Sequence, residues 1–388
     1  MRSIDVLVIG GGAMGLATAW QLARRGREAV VVEQFELATP NGASHGACRN
    51  FNPHYVTQPH LDLVREAEQL FAELERATGR RLLERNGLVS HGGGTVFDAV
   101  FARTGEAGIA REFVPVAEAE RRWSGMRFDR NVLFTPDAGR IRGEETLRAL
   151  ADDAAAHGAE LRWGVRATAI DEHDDRVEVE LETVATGERE RVRAAAVVAA
   201  AGAWTTSLLE GRVRLPHLRV TEESPVHFPA FDASAEWPSF NHRPEPGDPV
   251  YGPYWLATVY GMLTPGEGVK AGWHRVGPER HPDARTFAPD ARSVEAIRAY
   301  AREWLPGVDA DVVETISCTY TTAPDSMFVC DRVGRIVVLA GFAGEGFKFV
   351  PAVGRLGADL VEGGAPLPAF AIDRDFGARD RSGLASVL

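Results

Sequence analysis

The sequence predicts an α/β plus α+β protein in which a parallel-sheet domain, cut into three pieces, is interleaved with a mostly antiparallel β-sheet domain. Three observations predict it. The chain of 388 residues opens on a strand, a glycine loop, a helix and a second strand. Strand-and-glycine units return at residues 195–204 and 335–348. Between those two, from about residue 212 to 316, prolines cluster, aromatics rise and the βα rhythm stops. The implied partition is 1–85, 143–211 and 318–388 for the first domain, with 86–142 and 212–317 for the second.

Residues 4–9 (IDVLVI) are a β-branched and aliphatic run, as a parallel strand covered on both faces requires. Gly10, Gly12 and Gly15 follow in the spacing G-x-G-x-x-G, with Ala13 and Met14 inside it. Gly10 permits the tight turn, Gly12 lets a pyrophosphate approach the backbone, and Gly15 lets the next helix pack on the strand. Residues 16–26 are amphipathic at helical spacing and end on Gly26. A second apolar strand, 29–32, closes on Glu33, about 20 residues beyond the glycines, where an acid accepts hydrogen bonds from an adenosine ribose. In register, these parts predict a Rossmann-type dinucleotide site. The competing reading is a domain of this type that has lost its ligand.

Gln34, Ser44, His45 and Arg49 lie in a polar loop that would pass close to the nucleotide, with Arg49 facing either the cofactor or solvent. Residues 59–78 form an amphipathic helix with Leu63, Ala67, Leu70, Phe71 and Leu74 on one face. Residues 81–91 read as one strand, ahead of Gly92, Gly93 and Gly94. A helix and short strand over 95–116, a helical piece at 118–123, an extended stretch at 132–141 and a helix at 143–157 follow. Strands are expected at 160–165, 168–172, 177–184 and 190–198. Ala201, Gly202 and Trp204 then turn the chain back to the nucleotide. Within the second domain 293–304 is a helix, and the last strand, glycine loop and helix return to the first domain.

Composition narrows the function. Hydrophobic content of 45% and charged content of 25% are ordinary for a globular protein. A net charge of −12 argues against nucleic acid or an anionic membrane as partner. The longest bland stretch, 194–204, is too short to span a bilayer. The apolar start reads as a strand rather than a signal peptide, because Asp5 and the glycine turn interrupt it. Cys48, Cys318 and Cys330 are odd in number and lack metal-ligand spacing, which points to a reducing cytosol and no metal. Of 43 basic side chains only Lys270 and Lys348 are lysine. Either nucleotide bias left two survivors, or lysine is kept where a compact, tunable ammonium is needed.

Read alone, Cys318 is either a small buried residue or a reactive thiol. Lys270, Gly272 and His274 alternate along one strand and so share a face, as a solvated edge or as a charged pair in a pocket. Lys348 follows three glycines at the start of a helix, where free N–H groups and the helix dipole make an anion site.

With these residues in place, the sequence resembles, nearly end to end, the monomeric sarcosine oxidase family of FAD-dependent amine oxidases, which has a D-amino-acid-oxidase-like fold. The likeness is carried by the glycine motif with Glu33, the loop 33–37 with residues 44–46 and Arg49, the run 200–204, residues 270–274, the block 318–324 and the loop 341–348. It implies FAD attached through a thioether from Cys318 to the flavin 8-methyl carbon. It implies Lys270 over the flavin N5 edge, where its charge stabilises oxygen as it is reduced. Amides near Phe347 and Lys348 would face the flavin N1 and C2=O, and the Lys348 side chain would reach the substrate carboxylate. Arg49, His274 and Tyr320 would complete the catalytic pocket, and Val165, Gly344 and Gly346 the cofactor shell.

One departure matters. The family's usual second arginine, three residues after the one matching Arg49, is Asn52 here. Losing that carboxylate partner favours a bulkier cyclic or aromatic amine or imino acid, of a biosynthetic kind, over sarcosine. Tyr254, Trp255, Tyr260 and Trp273 form either its pocket or the domain core. The activity implied is oxidation of a secondary amine or imino acid C–N bond to an imine, with O2 leaving as H2O2, by a monomer. The alternative is a flavin-binding subunit, or a dehydrogenase using a partner or another electron acceptor. No second glycine motif for NAD(P)H is present.

Overall fold

The computed structural model describes residues 1–93, 95–232, 234–244, 254 and 257–377. The strand Arg2–Ile9 lies in the middle of an eight-stranded sheet. It pairs in parallel with Ala29–Glu33 on one side and Arg189–Ala199 on the other. Glu160–Trp163 extends the first side in parallel. Ile336–Ala340 lies parallel to Arg189–Ala199, which also carries the antiparallel strands Val177–Thr183 and Val165–Glu172. The residues of Arg2–Ile9 feed two cores, alternating from Val6 to Ile9. Val6 and Val8 pack under the helices Ala13–Arg24, Gln58–Thr78, Gly143–Ala156 and Val350–Val361. Ile4, Leu7 and Ile9 pack against the antiparallel strands. Cover on both faces is why this strand reads as an unbroken apolar run. Asp153 is tolerated in the first core because Trp20 Nε1 donates to its Oδ2 at 2.7 Å.

The second eight-stranded sheet runs in the order Glu314–Thr315, Val226–Phe228, Gly268–Trp273, Val259–Thr264, Ser239–Arg243, Leu88–Gly92, Val132–Thr135 and Glu112–Val114. All its neighbours are antiparallel except Ser239–Arg243 with Leu88–Gly92. The helix Ala291–Trp304 covers its outer face over Val226, Phe228, Phe240 and Trp273.

Two stretches expected to be single extended segments are each split between sheets. Residues 81–91 form Leu83–Glu84 and Leu88–Gly92, broken at Gly87, where φ is +78° and a Cβ would stand 2.5 Å from the Phe134 ring. Residues 132–141 form Val132–Thr135 and Gly139–Arg142. Leu83–Glu84 and Gly139–Arg142 join Cys48–Phe51 in a three-stranded sheet, so the loop after Glu33 ends in a strand. The expected strand 160–165 likewise stops at Trp163, because Gly164 turns at φ +70°. Finally, Arg219–Glu223 pairs with Cys318–Thr322 and fixes the latter between the two large sheets.

The turn at the head of the first helix is the tightest feature. Gly10 has φ +108° and a Cβ there would meet Ala200 O at 2.4 Å, while a Cβ on Gly15 would meet Gly10 O at 1.9 Å. At Gly12 it would meet only Ser44 Oγ, at 3.2 Å. Gly15→Ala is therefore expected to lose roughly 1–3 kcal/mol in urea unfolding through overpacking. Gly12→Ala should unfold close to the parent; equal losses in both variants would contradict this account of the turn.

Candidate active site

A cleft of about 420 Å³ runs from the carboxyl end of Arg2–Ile9 to the inner face of the second sheet. Its first end is lined by Gly10, Gly12, Ala13, Met14, Glu33, Gln34, Ser44, Val165, Ala201, Gly202 and Trp204. The helix Ala13–Arg24 starts there on Gly12 with no acid in its first turn, so its positive end is open to an anion. Ser44 Oγ accepts from Ala13 N at 3.0 Å. The Glu33 carboxylate accepts from Gly11 N at 2.7 Å and Phe35 N at 3.0 Å, and burial pushes its pKa up. Gly15 and His45 do not line the cleft. Gly15 sits beneath the turn, and His45 Nδ1 donates to Gly42 O at 2.9 Å. Burial, then Arg49, holds the His45 pKa down to about 4.

The middle of the cleft is walled by the strand Cys318–Thr322, whose alternation turns Cys318 and Tyr320 to the same side. The segment before Cys318 is clamped by Arg285, which donates to Ser317 Oγ at 2.8 Å and to Asn41 O at 2.7 Å. Ser317 Oγ in turn donates to Glu222 Oε1 at 2.5 Å. The Tyr320 ring lies where a Cβ on Gly344 would come within 2.3 Å, so the loop 341–346 can approach only because residue 344 is glycine. Tyr320 OH donates to Tyr260 OH at 3.3 Å and ties this strand to the second sheet.

That sheet roofs the cleft with alternate residues. Asn241 lies opposite Tyr260, and Met262 opposite Lys270; all four line it. Lys270 is buried and lines the cleft. Burial, then the Arg49 charge, lowers its pKa to about 8.

The far end is built around Glu345, which the sequence did not single out. Its carboxylate accepts from Arg275 Nη2 at 2.7 Å, Tyr55 OH at 3.2 Å and His274 Nε2 at 3.3 Å. Lys348 Nζ donates to Tyr55 OH at 2.8 Å and to Glu345 O at 3.3 Å. Burial disfavours the Glu345 charge, but Arg275, His274 and Lys348 outweigh it and hold this carboxyl well below the usual range. Burial lowers Lys348 to about 8 against the raising effect of Glu345. Lys348 sits in a 3₁₀ turn, Gly346–Phe349, one step before the helix Val350–Val361 rather than within it. Phe347 lines the cleft and carries the Arg49 guanidinium 5.5 Å from its ring centre.

The aromatics expected near the substrate divide between core and cleft. Tyr254 is not in the cleft lining; it stacks on Trp273, ring centres 5.9 Å apart, and Trp273 belongs to the core under Ala291–Trp304. Trp255 lies outside the described residues, so of the four aromatics only Tyr260 is seen to line the cleft. His54, which also lines the cleft, supplies no cation there. Its ring bonds Ser90 Oγ at 3.1 Å and Thr135 Oγ1 at 2.8 Å, and burial holds its pKa down to about 3. Asn52 does line the cleft, with its Oδ1 accepting from His54 N at 2.8 Å. Arg49 is spent on the carbonyls of Cys48, Ala43 and His45.

The sequence profile of the FAD dependent oxidoreductase family (DAO) matches residues 5–360. Monomeric sarcosine oxidase of Bacillus sp. (strain NS-129) is 28% identical over 96% of this chain and 97% of its own length. Peroxisomal sarcosine oxidase of Homo sapiens is 29% identical over 91% of this chain and 90% of its own. Among solved structures, NikD, an unusual amino acid oxidase essential for nikkomycin biosynthesis, superposes with a TM-score of 0.83 at 30% identity, over 96% of this chain and 98% of that one.

The charge network sets the sign of one titration. Because the Glu345 carboxylate favours the Lys348 ammonium, Glu345→Gln should move the Lys348 midpoint below about 8. With two lysines in the chain, ¹³Cε labelling reads it directly. An unchanged or raised midpoint would mean that Glu345 does not support this charge.

Proposed function

The chain belongs to the FAD-dependent oxidoreductase family, and from that premise we propose that it oxidises a secondary amine or imino acid C–N bond, giving an imine and H2O2. The observation that carries the reading is one continuous cleft that joins a dinucleotide end to a chamber holding both lysines of the chain. The residues at the first end fit FAD: the turn leaves room at Gly12, Glu33 presents a carboxylate, and the open helix terminus favours a pyrophosphate. When bound, FAD supplies the acceptor for two electrons from the C–N bond and passes them to O2.

The chain's own residues do the rest. The shell in this reading is Gly10 to Met14, Glu33, Gln34, Ser44, Arg49, Val165, Ala201, Gly202 and Trp204, with Gly344, Gly346, Phe347 and Lys348 on the other side, while Gly15 and His45 support it from behind. Lys348 holds the substrate carboxylate, still charged at neutral pH because its pKa stays near 8. Glu345 balances that charge together with the charge on Arg275, and its carboxylate holds His274 by Nε2. Tyr320 and Tyr260 close the side wall against water. Lys270 places a second ammonium on the opposite wall, where it stabilises oxygen as charge develops on it. The partition 1–85, 143–211 and 318–388 against 86–142 and 212–317, the monomer and the cytosolic setting complete the reading. Purified protein alone should make H2O2 from its amine. A protein that forms peroxide only with a partner, or reduces only another acceptor, would overturn the oxidase assignment.

Cys318 is proposed as the covalent link to FAD. It is half-buried on the cleft wall; Cys48 also borders the cleft but is buried, as is Cys330, and burial pushes both of those thiols up, Cys330 to about 12. Acid-precipitated protein should keep its yellow fluorescence, and Cys318→Ser should release flavin to the supernatant. Free FAD from the parent would contradict the link.

Substrate choice follows from the anion-binding end. With Asn52 at the arginine position, Arg49 spent on carbonyls and His54 neutral, Lys348 is the cation left for a carboxylate there. Replacing a charged donor by an amide forfeits ~1.5–3 kcal/mol, or roughly 10–100-fold in affinity. A substrate with only a methyl group has little else to bury, while a larger cyclic or aromatic one recovers it against Tyr260 and Met262. The biosynthetic setting of NikD supports such a substrate. Larger N-substituted or cyclic imino acids should exceed sarcosine in kcat/KM, and Asn52→Arg should raise the value for sarcosine. A parent that prefers sarcosine and gains nothing from the arginine would refute this.

A further inference from the structure

The row Met262, Lys270, His227 and Glu314 crosses four neighbouring strands of the second sheet in register. Directly opposed residues share a face, with Cβ atoms about 4.5–5.5 Å apart. Lys270 opens into the cleft and His227 stands beside it, outside the lining and 4% exposed. His227 Nε2 has no hydrogen-bond partner among the described residues, although Glu267 Oε2 lies 3.3 Å away without alignment. The Glu267 side chain is 42% exposed. A buried imidazole with an unspent nitrogen thus stands between the buried ammonium and a carboxylate in water.

We propose that His227 and Glu267 form the proton inlet to Lys270. The proposal rests on the reading that Lys270 serves the oxygen side. Oxidation of CH–NH to C=N gives up two electrons and two protons, and O2 leaves as H2O2 with two of each. The C–H carbon gives up the electron pair with one proton and the N–H gives up the other proton, so the second proton that O2 needs reaches it through the protein. Lys270 donates it and is recharged by His227, which takes a proton at one nitrogen from the Glu267 side and releases one from the other. Neutral imidazole is the form this needs, and burial followed by the Lys270 and Arg49 charges holds His227 down to about 4. The groups facing it are Lys270, Arg49, Glu267 and Glu314. A merely packed histidine would leave proton traffic at Lys270 unchanged.

The test uses FAD-loaded protein carrying ¹⁵Nζ-lysine, which gives two side-chain signals, and Lys270→Met identifies the Lys270 signal by its loss. His227→Gln, which preserves bulk and polarity, should slow exchange of the Lys270 Nζ protons with water by roughly 10²-fold, the lower end for a positioned proton carrier. Glu267→Gln, a change on a half-exposed side chain, should slow it in the same direction. Flavin reoxidation should slow with exchange in both variants, while anaerobic flavin reduction stays at the parent rate. Exchange at the parent rate in both variants overturns the inlet. If exchange responds but Lys270→Met reoxidises like the parent, the inlet stands and the oxygen-side reading of Lys270 fails.

Discussion

The buried carboxylate of Glu345 is the interaction on which the chamber depends. It lies among three cationic or donating neighbours, Arg275, His274 and Tyr55, and through Tyr55 it reaches Lys348. A buried Lys348 beside a half-buried Arg275 depends on it, because removing one partner of a buried ion pair typically costs about 3–5 kcal/mol. With it, the Arg275 charge is matched and the Lys348 ammonium is favoured. The same contacts draw together the loop at Tyr55, the strand end at His274 and the loop 341–346, which are far apart in the chain. A single acid therefore fixes both the shape and the charge of the substrate end.

The remaining geometry follows from two sheets meeting across one cleft. The first presents glycine-rich turns at the carboxyl ends of parallel strands, where backbone can approach a dinucleotide. The second presents alternate side chains, so Lys270, Met262, Tyr260 and Asn241 face inward while Phe240, Val259 and Trp273 support them from behind. Between them, Cys318–Thr322 is held by Arg285 and Glu222 on one side and by Tyr260 on the other. Of the two lysines lining the cleft, Lys270 is thus set on the second sheet and Lys348 on the glycine-rich turn that leads into Val350–Val361.

The parts of the fold governed by local pattern were legible in the sequence. Residues 4–9 and 29–33 are covered on both faces and show it as unbroken apolar runs; the glycine spacing told where the chain must turn. The pattern failed where one extended run serves two sheets, at 81–91 and 132–141, since a bend does not change the alternation. Gly87 was the available signal. Alternation also bore on the aromatics: if Lys270, Gly272 and His274 face the cleft, Trp273 must face away, into the core. Glu345 lies within a motif recognised in the sequence and Arg275 adjoins another, but their pairing spans 70 positions and only the folded chain brings them together.

The central claim is that this cleft couples a secondary amine or imino acid to O2 through FAD. An anaerobic titration of the purified protein tests it most directly. Stepwise addition of such a substrate should bleach the oxidised flavin band, and admitting air should restore the band with one H2O2 formed for each amine consumed. A flavin that stays oxidised through the amine series but bleaches with NAD(P)H would contradict the account.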